Sequence, residues 1–362
     1  MERGILAWAS RESKQREDER VGLSEQMEPI AEIETFQEVA RDAAPQGRAA
    51  TRMMRVLSYN ILVGGWPRID ALEAVMRDAR ADIIGMQEVS PRTLDELARR
   101  LGMWSALGPS RRGSAVGLLS RWPLREVIPH ESAPMHNALL EAVIAPDDEE
   151  PLRIFVAHLA ASYSAWRAGE GERLRELAYI LDRMRATGGP SAPQLLMGDF
   201  NSLPPDERLL ASRLLLYTAR NDALRAKGED MVGQPGVRKV LPPPLRPLAT
   251  ALIGLAQAPA LAWACDLAAS AYVPRAVVRQ TRAAGYTDLY TVSHPDPRGR
   301  ELSCPSLSPA GRIDYIFTSD ALSSRLATCE LLADTPTCPV SRASDHRPML
   351  ATLAWGDGPA PA

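Results

Sequence analysis

An acid and a carboxamide two residues apart, Asp199 and Asn201, follow the apolar run 195–197. An apolar run that ends in a glycine, here Gly198, is typical of a buried strand that meets a loop. Strand residues two apart share one face, so we expect both polar side chains to point at one spot. Turns also use Asp and Asn freely, so the pair by itself fits a simple turn equally well.

Other stretches of the chain place polar side chains at the ends of apolar strands in the same way. Asp314 differs from them because it lies inside an apolar strand, between Ile313 and Tyr315, where an acid is costly to bury unless it is paired. Binding and catalytic residues gather on loops that a rigid sheet holds at one edge. The strand-end residues are Asn60, Glu88, His158, Asp345 and His346.

Helices and strands alternate regularly from Arg55 onward and must position these side chains. The apolar spacing predicts helices over 67–80, 90–101 and 170–185, with Ser90 as the cap of the second. Short apolar runs between turn residues predict the strands. Such an order suggests two packed sheets flanked by helices. The predicted strands are 56–59, 82–86, 115–119, 125–128, 138–144, 153–158, 195–199, 312–318, 327–332 and 348–353.

The domain organisation predicted from the sequence has one main domain, 53–356, with a helical insertion at about 204–282. We expect 1–52 to be a disordered or weakly helical extension and 357–362 to be a tail. The apolar run 248–273 contains polar residues and a proline, so a packed helical hairpin is favoured over a transmembrane span. The insertion directly follows the Asp199 loop, and we expect it to border the site as a lid or specificity wall.

The composition is that of a soluble globular protein with room for a sizeable core. A formal charge of −3 and a pI near 6.0 argue against broad non-specific binding to nucleic acid, although a local basic cleft is compatible with them. The four cysteines form no C-x-x-C pair, which argues against a disulfide framework or a zinc site. The N-terminus lacks the apolar core of a signal peptide, so we predict a cytoplasmic protein.

Six motifs occur in a fixed order over 55–353: SYNIL, DIIGMQEV, HL, GDFNSLP, RIDYIF and SDHRP. In these motifs and their order the chain resembles the endonuclease/exonuclease/phosphatase (DNase I-like) superfamily. The resemblance implies a four-layer α/β sandwich, with two packed, mostly antiparallel sheets flanked by helices. It also implies metal-dependent cleavage of phosphate esters.

A hard cation suits this chemistry, because phosphate esters resist attack through their own negative charge. Mg²⁺ prefers oxygen ligands and binds through one or two carboxylates, with Mn²⁺ as an alternative. We expect Glu88 to be the principal carboxylate ligand, with Asn60 beside it and Asp345 assisting. Tyr163 is a candidate substrate contact, although a surface aromatic explains it equally well.

The resemblance also implies roles for the remaining polar residues. Asp199 orients or deprotonates the attacking water, and Asn201 holds that water or a phosphate oxygen. His158 donates to the phosphate where charge develops. His346 pairs with Asp314, whose carboxylate fixes the imidazole and favours its charged form. The sequence leaves open whether Asp199 or His346 is the general base.

These expectations lead to a first functional hypothesis, a cytoplasmic Mg²⁺-dependent phosphoesterase that cleaves phosphodiesters, most simply in nucleic acid. A second has a phospholipid or small-molecule phosphodiester as substrate, as in sphingomyelinase-like enzymes, and the apolar insertion favours it. A third hypothesis is a catalytically silent binding protein. The intact set of acids, amides and histidines argues against it. No protein partner is predicted.

Overall fold

Twelve strands form two six-stranded sheets in the computed structural model, which describes residues 52–146, 150–161, 165 and 167–355. The strand order is β11-β12-β1-β2-β4-β3 in the first sheet and β5-β6-β7-β8-β10-β9 in the second. The strands are β1 (Arg52–Gly64), β2 (Ile83–Val89), β3 (Trp104–Gly108), β4 (Val116–Ser120), β5 (Leu124–Pro129), β6 (Ala138–Ile144), β7 (Leu152–His158), β8 (Gln194–Asp199), β9 (Tyr286–Asp288), β10 (Asp314–Ser319), β11 (Leu326–Leu331) and β12 (Met349–Trp355).

Each sheet has one parallel pair at its centre and is otherwise antiparallel. The parallel pairs are β1 with β2 and β7 with β8. The carboxyl ends of two parallel neighbours lie at the same edge of a sheet. The residues that follow β1 and β2, and those that follow β7 and β8, are therefore neighbours at one edge of their sheet.

Helices cover the outer faces of both sheets and complete the four layers, as the sequence predicted. Ser90 caps the second helix, since its hydroxyl accepts a hydrogen bond from Thr93 N–H. The helices are α1 (Ile69–Ala79), α2 (Pro91–Leu101), α3 (Arg167–Ala186), α4 (Ala211–Ala226), α5 (Val237–Val240), α6 (Ala249–Gln257), α7 (Pro259–Tyr272), α8 (Ala276–Ala283), α9 (Leu289–Ser293), α10 (Asp320–Ser323) and α11 (Val340–Ala343).

The main apolar core lies between the two sheets. Val56 and Ile83 of the first sheet belong to one buried cluster with Val156 and Met197 of the second. At Gly85 the sheets come so close that a Cβ there would lie 2.4 Å from the sulfur of Met197. Separate apolar clusters join each sheet to its own helices. This double packing fixes the strand ends that carry the polar residues.

Two short strands were not predicted from the sequence. Both β3 and β9 are edge strands, and β9 has only three residues. The predicted helix over 67–80 begins as a 3-10 turn, Trp66–Arg68, before α1. The prediction for 1–52 and 357–362 falls almost entirely outside the described residues, although Arg52 begins β1.

The insertion holds the helices α4 to α8. Its apolar run forms the two consecutive helices α6 and α7, which pack against each other and against α4. A small apolar cluster of its own holds it together, with Leu215 and Val237 among its members. A search of the described helices finds none with the length and apolar character needed to cross a bilayer.

Glu141, buried on β6, is the centre of an ion-pair cluster in the second sheet. It contacts Arg153, Arg183 and His130. Burial opposes ionisation, but the hydrogen bonds from His130 and Arg183 lower the pKa of Glu141 to about 2. An acid with a lowered folded-state pKa stabilises the fold above its unfolded pKa, and this stability is lost as the pH falls through the folded value.

We therefore expect the free energy of unfolding to fall between pH 4.5 and pH 2 more steeply in the wild type than in Glu141→Gln. Urea titrations at several pH values measure the difference. The matched control is Glu126→Gln, which removes an exposed carboxylate that pairs with the same Arg153. Equal pH dependence in wild type and Glu141→Gln would contradict the assignment.

Candidate active site

Strand pairing brings the predicted site residues of the second sheet together. His158 is the register partner of Asp199 across the parallel pair β7–β8. Asp314 is the partner of the same Asp199 across the antiparallel pair β8–β10. In the first sheet, Asn60 of β1 is the register partner of Gln87 of β2. Asp199 is thus flanked on both sides within its sheet.

The Asp199 carboxylate is buried and accepts hydrogen bonds from two sides. Its Oδ2 accepts from the Asn60 amide at 3.1 Å, and its Oδ1 from the Asn201 backbone N–H at 2.8 Å. The Nε2 atoms of His158 and His346 lie 3.7 and 3.9 Å from Oδ2. Burial and the Asp314 carboxylate raise the pKa of Asp199 to about 7. This is the range in which a general base works well at neutral pH.

The turn after β8 differs from the expectation that Asp199 and Asn201 share one strand face. Strand β8 ends at Asp199, and Asn201 adopts a left-handed conformation with φ +47°. Its amide donates to Leu159 O at 2.9 Å, so the two polar side chains do not share a strand face. Gly198 has φ +146°, and a Cβ there would lie 1.8 Å from Ala157 O. The turn therefore requires glycine.

The structure brings His346 and Asp314 into contact, as the sequence predicted. His346 Nδ1 lies 2.9 and 3.1 Å from the two carboxylate oxygens of Asp314, and both side chains are buried. Burial lowers the pKa of His346, but the Asp314 carboxylate outweighs it and raises that pKa well above its usual value. The imidazole is therefore held charged, with Nε2–H directed toward the Asp199 side of the site.

His158 is buried and carries no positive charge at neutral pH. Burial lowers its pKa to about 4, although Glu88 partly opposes the shift. Its Nδ1 atom is buried without a hydrogen-bond partner in the described structure. A neutral imidazole still has one N–H to donate. The unpartnered atom of His158 is thus Nδ1, whereas the atom near the Asp199 carboxylate is Nε2.

Glu88 near the end of β2 meets Asn60, which lies within β1, four residues before its end at Gly64. Glu88 has φ +62°, a strained conformation that turns its side chain out of the strand pattern. Its carboxylate accepts from Val63 N–H at 2.7 Å and from the Asn60 amide at 3.3 Å. Asn60 Oδ1 accepts from Leu62 N–H. The Asn60 amide therefore links the Glu88 and Asp199 carboxylates as a donor.

The donor set suits a hard divalent cation. Asp345 is half-buried, burial of its carboxylate raises its pKa, and its Oδ1 has no hydrogen-bond partner in the described structure. A nearby cation would supply the missing partner and offset the cost of burying the carboxylates of Glu88 and Asp345. A second possible ligand group is Asp199, Asp314 and His346, whose atoms lie within 4.8 Å of one another. In that group, however, the Asp314 oxygens are already bonded to His346.

Three residues of the site region were not found from the sequence, the buried Arg173 and Glu176 and the half-buried Cys304. Arg173 and Glu176 lie on the buried face of α3. A charged residue among the apolar residues of that face was the sequence signal that could have identified them. Glu176 accepts from Ala160 N–H at 2.9 Å and Arg173 donates to Ala160 O at 3.1 Å, so both fix the loop after His158. Cys304 Sγ lies 3.6 Å from His346 Nε2, and burial raises its pKa to about 12. No motif marks Cys304.

The remaining predicted contact, Tyr163, lies outside the described residues. Three further histidines match no motif and are not part of the site. His130 is buried against Tyr179 and Glu141, and His294 stacks on Tyr290. His136 is half-exposed.

A cavity of about 800 Å³ opens from these polar residues into the insertion. Glu88, His158, Asp199, Asp345 and His346 lie at its polar end. Most of the remaining wall is apolar and comes from α4, α5, α7 and the segment 241–245, so the insertion borders the site as predicted. Residues on the wall include Leu214, Leu215, Leu241, Leu245, Ala268, Ala269 and Tyr272.

Solved structures share this fold at low sequence identity. An AP endonuclease from Archaeoglobus fulgidus is 14% identical, with a TM-score of 0.51, and the match covers 83% of this chain and 99% of that chain. A 3'-5' exonuclease (NExo) from Neisseria meningitidis is 16% identical, with a TM-score of 0.50, covering 83% and 100%. An endonuclease/exonuclease/phosphatase from Bacteroides vulgatus is 16% identical, with a TM-score of 0.50, covering 84% and 100%. A sequence search of curated proteins gives no match.

Fold and site together define a protein of the DNase I-like phosphoesterase class. The model of the endonuclease/exonuclease/phosphatase family matches residues 57–346, and the chain belongs to that family. Members of the family are hydrolases that act on phosphoric esters and generally depend on a divalent metal.

Proposed function

We propose that the protein is a Mg²⁺-dependent phosphodiesterase, in which water attacks phosphorus in line with the leaving oxygen. The observation that carries the proposal is the meeting of Asp199, His158 and the His346–Asp314 pair at the polar end of the cavity. We place the cation against Glu88 and Asp345. When bound, it would polarise a phosphoryl oxygen as a Lewis acid.

Asp199 is the proposed general base. Its raised pKa leaves it able to accept a proton from water near neutral pH. His346 is held protonated by Asp314, so it has no free lone pair to act as a base. It would instead donate from Nε2 to a phosphate oxygen. His158 would donate to the phosphate as negative charge develops there.

Asn60 and Asn201 hold Asp199 in position in this proposal. Hydrogen bonds from the Asn60 amide and the Asn201 backbone leave the carboxylate little rotational freedom. A positioned base contributes because the reacting groups need no further ordering. We therefore assign Asn60 as a positioning donor rather than a metal ligand.

The apolar cavity favours an ester that carries an apolar group, such as a phospholipid or a small apolar phosphodiester. An extended nucleic-acid strand needs a basic groove with stacking aromatics, whereas this wall is built of Leu, Ala, Val and Pro side chains. The Neisseria relative is described with a product DNA hairpin bound. The charge of the insertion supports a nucleic-acid substrate, because residues 204–282 contain eleven Lys and Arg but only six Asp and Glu.

Removal of divalent metal is expected to abolish hydrolysis of bis(p-nitrophenyl) phosphate, and added Mg²⁺ to restore it by about 100-fold or more. In Glu88→Gln the Mg²⁺ concentration for half-maximal rate should rise about tenfold, because one anionic ligand is lost. Titration calorimetry of Mg²⁺ gives a second measurement that does not depend on turnover.

The control for this experiment is Glu330→Gln, an exposed carboxylate on β11 that should leave the Mg²⁺ dependence unchanged. Hydrolysis that survives complete chelation would refute the metal-dependent mechanism. Comparing the rates on a short-chain phosphatidylcholine and on single-stranded DNA then decides between the two substrate classes.

A further inference from the structure

Helix α7 has one face toward the active-site cavity and another toward solvent. Cys265, Ala268, Ala269 and Tyr272 line the cavity, at the spacing of one helical face. At 3.6 residues per turn, Trp263 and Leu267 lie roughly half a turn away from that face. The helix is thus a single-layer wall between the site and the outside.

The outer face of α7 is apolar and exposed. Trp263 is 62% exposed and Leu267 is 53% exposed. Leu248 and Leu255, in α6 and the turn before it, are also exposed, but they lie at the helical spacing of Leu252, which lines the cavity. Soluble proteins rarely expose neighbouring large apolar side chains on one helical face unless that face binds something. We call Trp263 and Leu267 the outer apolar face.

The insertion, which carries the outer apolar face, has a net positive charge. Between 247 and 274 the chain has one charged residue, Asp266, and it faces inward, where it accepts a hydrogen bond from Ser212 N–H. Exposed Arg238 and Lys239 precede this stretch. Over 204–282 the formal charge is +5, in a chain whose total is −3. The outer apolar face therefore belongs to the segment of the chain that carries a net positive charge.

Apolar side chains with an exposed tryptophan and flanking basic residues match the surface of an anionic bilayer. Tryptophan favours the level of the lipid headgroups, and basic residues gain from anionic lipids near them. Helix α7 has 14 residues, about 21 Å at 1.5 Å per residue, which is shorter than a hydrocarbon core. Such a helix can lie along the interface with its apolar side in the headgroup region.

We propose that the outer apolar face docks this protein on the surface of an anionic lipid bilayer. The same helix lines the cavity, so docking would place the cavity wall at the level where an apolar phosphate ester leaves the membrane. That consequence for substrate entry rests on the proposed function. The docking itself does not require catalysis.

The test is co-sedimentation of the full-length protein with vesicles of phosphatidylcholine alone and of phosphatidylcholine with 30% phosphatidylglycerol. Wild type is expected to bind the mixed vesicles more tightly, and the preference should shrink at high salt. In Trp263→Glu/Leu267→Glu the apparent affinity should fall about tenfold or more, because two apolar contacts become charges. Trp104→Glu changes a tryptophan of similar exposure, 57%, on edge strand β3 and should change binding less than twofold.

Hydrolysis of the water-soluble bis(p-nitrophenyl) phosphate without vesicles should stay within twofold in the double variant, which shows that its fold is intact. If the hydrolysis rate of the double variant falls further than twofold, the milder variant Trp263→Gln replaces it and should still weaken vesicle binding about threefold. Wild type that fails to bind mixed vesicles, or a double variant that binds like wild type, overturns the proposal. If the wild type forms a dimer and does not bind vesicles, and the double variant is a monomer, the proposal is overturned and the face is assigned to contact with a second copy. Because binding is measured without substrate, a failure of the proposed hydrolysis is separately visible.

Discussion

Asp199→Asn is expected to lower the metal-dependent turnover number by about 10³-fold, near the middle of the range for losing a positioned general base. Asparagine has the size of aspartate, so the pocket between Asn60 and Asn201 keeps its shape. The amide cannot accept the proton of water, although one amide oxygen can still accept a hydrogen bond. The loss should therefore fall on the turnover number rather than on the Michaelis constant.

The fold of this variant should remain intact, which separates a catalytic effect from a structural one. Ionised Asp199 is costly in its buried site, as its raised pKa shows, so removing the charge offsets the hydrogen bond that is lost. We expect the free energy of unfolding at pH 8 to change by no more than about 1 kcal/mol. Asp320→Asn, an exposed acid at the start of α10, is the control with normal turnover. Turnover within tenfold of wild type in Asp199→Asn would assign the base elsewhere.

Arg312→Met is expected to lower the free energy of unfolding by about 3–5 kcal/mol, the cost of breaking a buried ion pair from one side. Arg312 is fully buried and forms paired hydrogen bonds with two buried carboxylates, Glu207 and Asp288. Its guanidinium also lies 4.6 Å from the Tyr315 ring centroid. Methionine can fill the space but leaves Glu207 and Asp288 with fewer cations.

The position of Arg312 explains why this loss should reach the active site. Glu207 lies at the beginning of the insertion, and Arg312 is two residues before Asp314. The ion pair therefore fixes the start of the insertion to the strand that carries the partner of His346. Urea unfolding of Arg312→Met, with Arg312→Lys as an intermediate case, measures the effect, because lysine keeps the charge but loses the paired geometry.

An exposed arginine provides the control for this second experiment. Arg99 pairs with Glu96 on the surface of α2 and is 70% exposed, so Arg99→Met should change the free energy of unfolding by about 0.5 kcal/mol or less. Equal losses in Arg312→Met and Arg99→Met would show that the buried network adds nothing to stability.

Several site features followed from local sequence patterns. Apolar runs predicted the central strands, and the cap at Ser90 predicted the start of α2, since both depend on neighbouring residues only. The pairing of Asp314 with His346 was implied by the family resemblance, whereas the position of Asp314 between Ile313 and Tyr315 indicated only that a buried acid there needs a partner. The roles assigned to these residues in catalysis stay predictions.

Other features depended on contacts between distant parts of the chain. The Asn60 amide meets Asp199 from 139 residues away, and its donor orientation is set by Leu62 N–H. Arg173 and Cys304 carry no motif, and they join the site region only because α3 and the segment before β10 pack beside it. Asn201 leaves the strand face because β8 ends at Asp199 and Asn201 itself has φ +47°, which a strand pattern does not reveal.

The sequence by itself determined the family, the two sheets and the strand ends at which the acids, amides and histidines stand. These depend on hydrophobic periodicity and on ordered motifs, both readable along the chain. The tertiary structure alone decided which atoms of those residues face one another, and that the insertion turns the site into an apolar cavity with an exposed outer face on α7. Those properties arise from packing between segments far apart in sequence, where local pattern carries no information about distance or direction.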